Sequence, residues 1–159
     1  MFILNGILLA IVVTIVIAIF LLKSKITRKN LPTGEFTLRW KSTGETIAGV
    51  VGQSGTAANQ LTAPFDLLVD ESYTLYITDS YNHRIQRWSY GASSGTTVAG
   101  RANGTAGADP SSFDYPAGLI VDTNKNIYVA DGANGRVQFW PAGATNGTTI
   151  LGNGKSVKK

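Results

Sequence analysis

An internal repeat with a period of 52 residues constrains this chain more than any other feature. Residues 64–88 align with residues 116–140 without a gap, and turn, polar and apolar residues recur together along both segments. The identical pairs are Pro64/Pro116, Leu67/Leu119, Val69/Val121, Asp70/Asp122, Tyr76/Tyr128, Asp79/Asp131, Asn82/Asn134, Arg84/Arg136, Gln86/Gln138 and Trp88/Trp140. A repeat of this length predicts that each copy is one structural unit, which buries its apolar faces against neighbouring copies.

Each copy predicts four short strands separated by turns. In the first copy, the predicted strands lie at or around 67–69, 75–77, 84–88 and 96–99, with Asp, Ser, Asn and Gly between them. No apolar stripe of helical period follows Leu22. The unbroken run at 67–69 indicates a strand covered on both faces, as when four-stranded sheets stack side by side. We therefore predict an all-β fold of β-propeller blades; a β-solenoid, the alternative, needs shorter and more uniform coils.

The repeats predict an incomplete propeller of about two and a half blades. Residues 36–49 match the second half of a unit, and complete blades are expected at 64–100 and 116–152. Since this set cannot close into a ring, the chain is expected to be a truncated product of a longer gene, to form a ring from two or three copies, or to be a partly disordered remnant. Exposed blade faces and strand edges predict self-association if the chain is complete.

The repeated pattern resembles the signature of the NHL-repeat family. Over 116–140 the chain reads P-x-G-[LI]-x-V-D, then [LI]-Y-[VI]-x-D-x-x-N-x-R-[IV]-Q-x-[FW], and 64–88 follows it except at Phe65-Asp66. The resemblance covers roughly residues 36–152. It implies a propeller, commonly of about six blades, whose relatives mostly bind proteins or RNA. A minority are enzymes, such as the peptide-amidating lyase.

The composition argues against most enzymatic chemistry. The chain has no cysteine and one histidine, so it offers no thiol nucleophile, no thiolate zinc site and too few imidazoles for the metal-dependent lyase relatives. We predict a non-enzymatic protein-binding module without cofactor or metal. The alternatives are part of a propeller enzyme whose active site needs missing blades, and RNA binding. Residues 30–154 hold 7 basic and 10 acidic side chains, a net charge of −3, so nucleic acid is not expected as a partner.

Three groups of residues are candidates for specific roles. The first is a structural motif at the second hairpin turn of each unit, formed by Asp79, Asn82, Arg84, Asp131, Asn134 and Arg136. In this motif the carboxylate would accept hydrogen bonds from turn N–H groups, Asn would adopt a left-handed φ, and Arg would pair with the carboxylate. The second is a blade-packing position, occupied by Trp40, Trp88 and Trp140. The third is a contact for a protein partner at Tyr81 and His83, where the second copy has Ala133 and Gly135. The acidic pair Asp70-Glu71 is the remaining alternative, as a calcium site.

The first 22 residues predict a single transmembrane helix. Residues 1–22 carry no charged side chain, and a helix of that length reaches about 33 Å, enough for a hydrocarbon core of about 30 Å. A cleavable signal peptide and a buried core helix are the alternatives, but no basic segment precedes the apolar run. A basic juxtamembrane linker at 23–35 follows, and a basic tail occupies 153–159. The bilayer is thus an expected partner.

The orientation of the anchored domain depends on two opposing signals. Four Lys and Arg side chains lie after the apolar run, within 23–29, and the positive-inside rule then favours a cytosolic domain in a single-pass membrane protein. Asn103 and Asn146 begin Asn-Gly-Thr triplets, which would be glycosylation acceptors if the domain were extracytoplasmic. Asn-Gly is also the favoured dipeptide of a type I′ hairpin turn, which is the alternative.

Overall fold

A computed structural model of the chain describes residues 43–153. Within them, two four-stranded antiparallel sheets hold nearly all regular secondary structure, so the predicted all-β fold of four-stranded units is confirmed. No helix in this part of the chain is long and apolar enough to cross a membrane. The predicted span at 1–22, the linker at 23–35, Trp40 and the tail from residue 154 lie outside the described residues.

Each sheet corresponds to one copy of the sequence repeat. The first sheet consists of β1 (Pro64–Val69), β2 (Leu75–Asp79), β3 (Arg84–Trp88) and β4 (Thr96–Gly100). The second sheet consists of β5 (Pro116–Val121), β6 (Ile127–Asp131), β7 (Arg136–Trp140) and β8 (Thr148–Gly152). A single turn of 3-10 helix, Ser80–Asn82, joins β2 to β3. Consecutive strands pair through short connections, so both sheets are antiparallel meanders in chain order.

Both sheets depart from regular pairing at equivalent places. In the first sheet the register shifts after Pro64 in the β1–β2 pair and after Ile85 in the β3–β4 pair. The second sheet shifts after Pro116 and after Val137, which occupy the same repeat positions. A bulge bends its strand and increases the local twist. The sequence repeat therefore specifies the curvature of each sheet as well as its strands.

The main hydrophobic core lies between the two sheets. Its buried members are Tyr76, Ile85 and Ala99 from the first sheet, Phe113 from the connecting loop, and Leu119, Ile127, Val129 and Trp140 from the second sheet. The first strands of the two sheets lie side by side, and the Asp66 carboxylate of β1 accepts a hydrogen bond from the Leu119 N–H of β5 (3.0 Å). Asp66 belongs to one of the departures from the repeat, where the second copy has Gly118. That departure joins the two sheets.

The opposite face of the first sheet is covered by the segment that precedes β1. Leu75, Ile77 and Trp88 form a second buried cluster, and Ala48 and Leu61 pack against it. The first sheet is therefore packed on both faces. This arrangement explains why the apolar runs of its strands are continuous instead of alternating with polar residues.

The described part of the predicted half blade at 36–49 does not form a strand. From residue 43 onward the segment is irregular up to Gly49. The φ angle of Gly49 is 83°, and Gly100 and Gly152, which close β4 and β8, both have φ of 81°. The segment thus keeps the backbone conformation that ends a unit. A strand needs a partner strand for its hydrogen bonds, and the sequence-predicted partner precedes residue 43.

Candidate functional site

Asp79 is the centre of a buried hydrogen-bond network at the end of β2. Its side chain is fully buried, and its Oδ2 atom accepts hydrogen bonds from Asn82 Nδ2 (2.9 Å) and Arg84 Nε (2.8 Å). Its Oδ1 atom accepts the backbone N–H of Thr62 (2.7 Å), which lies in the loop before β1. The carboxylate therefore holds the β2–β3 turn and the preceding loop together through charge-assisted bonds.

The Arg84 side chain extends this network to both loops that flank the first sheet. Its Nη1 atom donates to the carbonyl oxygens of Thr56 (2.6 Å) and Ala102 (2.8 Å). Its Nη2 atom donates to the carbonyl oxygens of Ala57 and Gln60 (3.2 Å each). Ala102 follows β4, whereas the other three residues precede β1. One buried guanidinium thus satisfies carbonyl groups that have no strand partner.

The second sheet repeats the network. The Asp131 carboxylate accepts hydrogen bonds from Asn134 Nδ2 (2.9 Å), Arg136 Nε (2.7 Å) and the backbone N–H of Asp114 (2.7 Å). The Arg136 guanidinium donates to loop carbonyl oxygens of Ala108, Asp109 and Ser112. In both sheets, the six polar residues therefore anchor a connecting loop to the sheet that follows it.

The network differs in two respects from the sequence expectation. The backbone N–H group that donates to each carboxylate belongs to the preceding loop and not to the turn itself. The left-handed conformation belongs not to Asn82 or Asn134 but to the next residue, His83 (φ 51°) or Gly135 (φ 58°). Each Asn amide instead donates to the carboxylate and to a loop carbonyl oxygen, at 2.8 Å in both sheets. A short-range turn motif could not reveal this long-range role.

Trp88 and Trp140 end the third strand of each sheet, and both are buried. Trp88 belongs to the cluster on the outer face of the first sheet, whereas Trp140 belongs to the core between the sheets, 5.3 Å from the Phe113 ring centroid. Gly95 and Gly147 precede the last strand of each sheet and lie so close to these indoles that an added Cβ would overlap them. The glycines are thus part of the tryptophan sites.

Three aromatic side chains meet at the surface where the two sheets join. Tyr81, in the 3-10 turn after β2, is 59% exposed and packs edge-on against Tyr115 from the loop before β5, with centroids 5.2 Å apart. His83 packs against the same ring at 4.8 Å. We call Tyr81, His83 and Tyr115 the aromatic cluster. The two predicted contact residues are thus joined through a third residue that the sequence reasoning missed.

Hydrogen bonding fixes the histidine of the aromatic cluster. The backbone N–H of Tyr115 donates to His83 Nδ1 (3.0 Å), so this nitrogen carries a lone pair in the observed geometry. Asp114 Oδ1 lies 3.4 Å from the same nitrogen, a contact that becomes an ion pair only when the imidazole is protonated. The partly exposed Asp114 carboxylate therefore lies at the edge of the aromatic cluster, beside the imidazole of His83.

The backbone at this cluster adopts an unfavourable conformation. His83 and Tyr115 have φ of 51° and 48°, in the left-handed region that costs a non-glycine residue about 1–2 kcal/mol. The equivalent residues share this conformation, since Ala63 has φ of 48° and Gly135 has φ of 58°. The left-handed conformation is therefore a feature of both repeats, and only in His83 and Tyr115 does it carry an aromatic side chain.

The acidic residues of the described segment do not gather into a metal site. Between residues 43 and 153, no group of three or more His, Asp or Glu side chains is close enough to hold a metal ion. The Asp70 carboxylate, the candidate calcium ligand, accepts hydrogen bonds from Lys125 Nζ (2.8 Å) and from the N–H groups of Ser72 and Thr74 (2.9 Å each). Burial opposes ionisation of Asp70, but these bonds outweigh it and lower its pKa.

Asn103 and Asn146 lie in exposed loops, after β4 and before β8. Neither asparagine has a positive φ, whereas a type I′ turn requires positive φ at both central residues. The type I′ interpretation is therefore wrong for both. Asn103 Oδ1 instead accepts the backbone N–H of Thr105 (3.1 Å), an Asx-type turn. Glycosylation of the two residues stays a prediction.

Residues 113–139 match the family model of the NHL repeat. This range covers β5, β6 and most of β7, together with Asp131, Asn134 and Arg136. The predicted resemblance to NHL-repeat proteins is therefore confirmed on the second sheet. No curated protein is a significant match to the chain.

Proposed function

We propose that the chain is a membrane-anchored NHL-repeat interaction module, which presents the turns at one end of its sheets to a protein partner and performs no catalysis. In this proposal, the two sheets are blades of an incomplete β-propeller. The observation that carries the proposal is the aromatic cluster at the junction of the blades, where the exposed rings of Tyr81 and Tyr115 pack edge-on and His83 packs against Tyr115.

Blade geometry supports the propeller assignment. The sheets pack face to face, their first strands lie side by side, and buried Asp–Arg networks anchor the loops that lead from one unit to the next. These are features of radially stacked four-stranded blades. Loops on such a rigid scaffold are suited to binding, because folding has already ordered them.

The chemistry of the aromatic cluster favours a basic peptide segment as the partner. Tyrosine provides rigid contact area with little loss of side-chain entropy, and it is enriched in binding hot spots. The negative faces of Tyr81 and Tyr115 attract a Lys or Arg side chain, and the Asp114 carboxylate, which lies beside His83, would pair with it. The net charge of −3 over residues 30–154 also attracts a positively charged partner at long range.

A photo-crosslinking amino acid at position 81 of the full chain tests this proposal in cells. We expect crosslinks to one protein from position 81 and none to that protein from position 90. Tyr90 is the matched control, because it is more exposed than Tyr81 (73% against 59%) but lies at the opposite end of the sheet. Tyr115→Ala should abolish the crosslink while the melting temperature changes little. Equal capture from positions 81 and 90, or capture unaffected by Tyr115→Ala, would reject the aromatic cluster as the contact.

Membrane anchoring is a separate part of the proposal, and the uncharged run at 1–22 supports it. We expect the full chain to stay with membranes after an alkaline carbonate wash. Replacing Ile11 and Ile15 by Arg places two charges in the apolar run and should release it. Release of the unaltered chain by the wash would reject the anchor without affecting the test of the aromatic cluster.

A further inference from the structure

The second sheet has an apolar face that the described part of the chain leaves uncovered. Ile120 of β5 and Leu151 of β8 are each 64% exposed, and Ile150 is also exposed. Their repeat equivalents in the first sheet pack into the core between the sheets, where Ala99, the counterpart of Leu151, is 2% exposed. We call this surface the free face. Several large apolar side chains exposed on one face of a sheet are typical of an interaction site.

A depression in the free face shows what kind of group it accepts. The depression holds about 250 Å³ and is lined in part by Val137, Leu151 and Gly152. The equivalent position on the first sheet is filled by Phe113, which packs with Ile85 and Ala99 and lies 2.9 Å from where a Gly100 Cβ would be. The depression is thus the equivalent of the Phe113 site and would accept a large apolar side chain.

A second apolar surface lies at the other end of the described residues. Ile47 and Val51 are 52% and 80% exposed, in the segment that covers the first sheet on the side away from the second. The two surfaces differ in sequence, so a contact between them joins unlike patches of two copies. Such heterologous contacts add copies head to tail and end in a ring when the rotation closes.

We infer that the free face binds the segment 43–53 of a second copy of this chain. Ile47 or Val51 of that copy, both exposed, would fill the depression. The interface between the two sheets of one chain is the precedent, because the same repeat positions are buried there by the next unit.

A photo-crosslinking amino acid at position 120 of the full chain in detergent identifies the occupant. A copy with heavy isotopes that carries the crosslinker is mixed with an unlabelled copy, so mixed-mass peptides report contacts between chains. We expect mixed-mass crosslinks from position 120 to residues 43–53 and none from position 90. Crosslinks to the second sheet of the other copy, crosslinks within one chain to residues 154–159, or no crosslinks would each overturn the inference.

Sedimentation of charged variants provides a second measurement that does not depend on crosslinking. Ile120→Lys places a charge on the free face and should weaken self-association about tenfold or more. Thr123→Lys adds the same charge to an exposed turn and is the matched control. Because both variants keep residues 1–22, association through that segment affects them equally. A monomeric unaltered chain, or equal association of both variants, would contradict the proposed interface.

Discussion

The two sheets share one backbone plan, but among residues 43–153 only the first is packed on both faces. All five residues of β2 are buried, whereas in β6 buried and half-buried residues alternate. Tyr76 is 4% exposed and its equivalent Tyr128 is half-buried, although the two strands differ little in sequence. The burial of a repeat position thus depends on its neighbouring unit. Strand pairing is a property of each repeat, and full burial is a property of the stack.

The buried arginines test whether the two sheets also differ in stability. Removing one partner of a buried ion pair costs about 3–5 kcal/mol, and we expect Arg84→Met and Arg136→Met each to approach that range. Both guanidiniums bind the same three equivalent loop carbonyl oxygens, so we expect the two costs to be similar. Urea unfolding of the three proteins measures both costs.

The double variant Asp79→Asn/Arg84→Met provides the control for this prediction. It removes both charges, so the carboxylate is not left buried without a cation, and it should cost less than the sum of the single changes. If Arg84→Met and Arg136→Met unfold at clearly different urea concentrations, the two networks do not contribute equally to stability. An additive double variant would contradict the role of the buried pair.

The next comparison concerns Phe113 and Leu61, the apolar residues of the segments that precede β5 and β1. Phe113 is fully buried between the sheets, and we expect Phe113→Ala to cost about 3–4 kcal/mol. Leu61 stands at the same repeat position but is only half-buried, so Leu61→Ala should cost about half as much. Calorimetric melting of the two variants measures the difference. Equal costs would mean that the segment before β1 packs as tightly as a complete sheet.

The sequence predicts the strands of both units because the repeat marks every turn and apolar run twice. The pairing of Asp79 with Arg84 is also predictable, since both lie at one hairpin. The loop carbonyls that Arg84 binds are not predictable, because they come within reach only after the loop packs over the sheet. The contact of Tyr115 with Tyr81 and His83 is not predictable for the same reason. The signal that could have identified it is an aromatic residue before Pro116 where the first copy has Ala63.

The glycines before the last strands should respond alike in both sheets. An added Cβ at Gly95 or Gly147 would overlap Trp88 or Trp140, and the indole would have to move within a packed core. We expect Gly95→Ala and Gly147→Ala each to cost about 1–3 kcal/mol. Gly44→Ala is the control, because nothing lies within 4 Å of its Cβ position. Thermal unfolding measures these costs. Different costs for Gly95→Ala and Gly147→Ala would show that the two tryptophan sites are not energetically equivalent, although their geometry is similar.

The smallest effect is expected from the ion pair that joins the turns of the two sheets. Lys125 Nζ donates to Asp70 Oδ2 (2.8 Å), whereas the equivalent Asp122 accepts its side-chain hydrogen bond from Asn126 of its own turn. The hydrogen bond and charge of Asp70 raise the pKa of Lys125, and that of Asp70 is lowered in spite of its burial. Lys125→Met should lower the melting temperature by a few degrees at most, since exposed pairs contribute little.

The pH dependence distinguishes this ion pair from packing by the Lys125 chain. A lowered pKa of Asp70 stabilises the fold above the unfolded value of about 3.9, and the contribution is lost as pH falls through the folded value. The raised pKa of Lys125 contributes below about 10.4 and is lost as pH rises through its folded value. We therefore expect Lys125→Met to differ from the unaltered chain at pH 7 and to match it in acid, where Asp70 is protonated. Asn124→Met, in the same exposed turn, is the control and should match the unaltered chain at both pH values. If the cost of Lys125→Met does not depend on pH, the effect comes from packing and not from the ion pair.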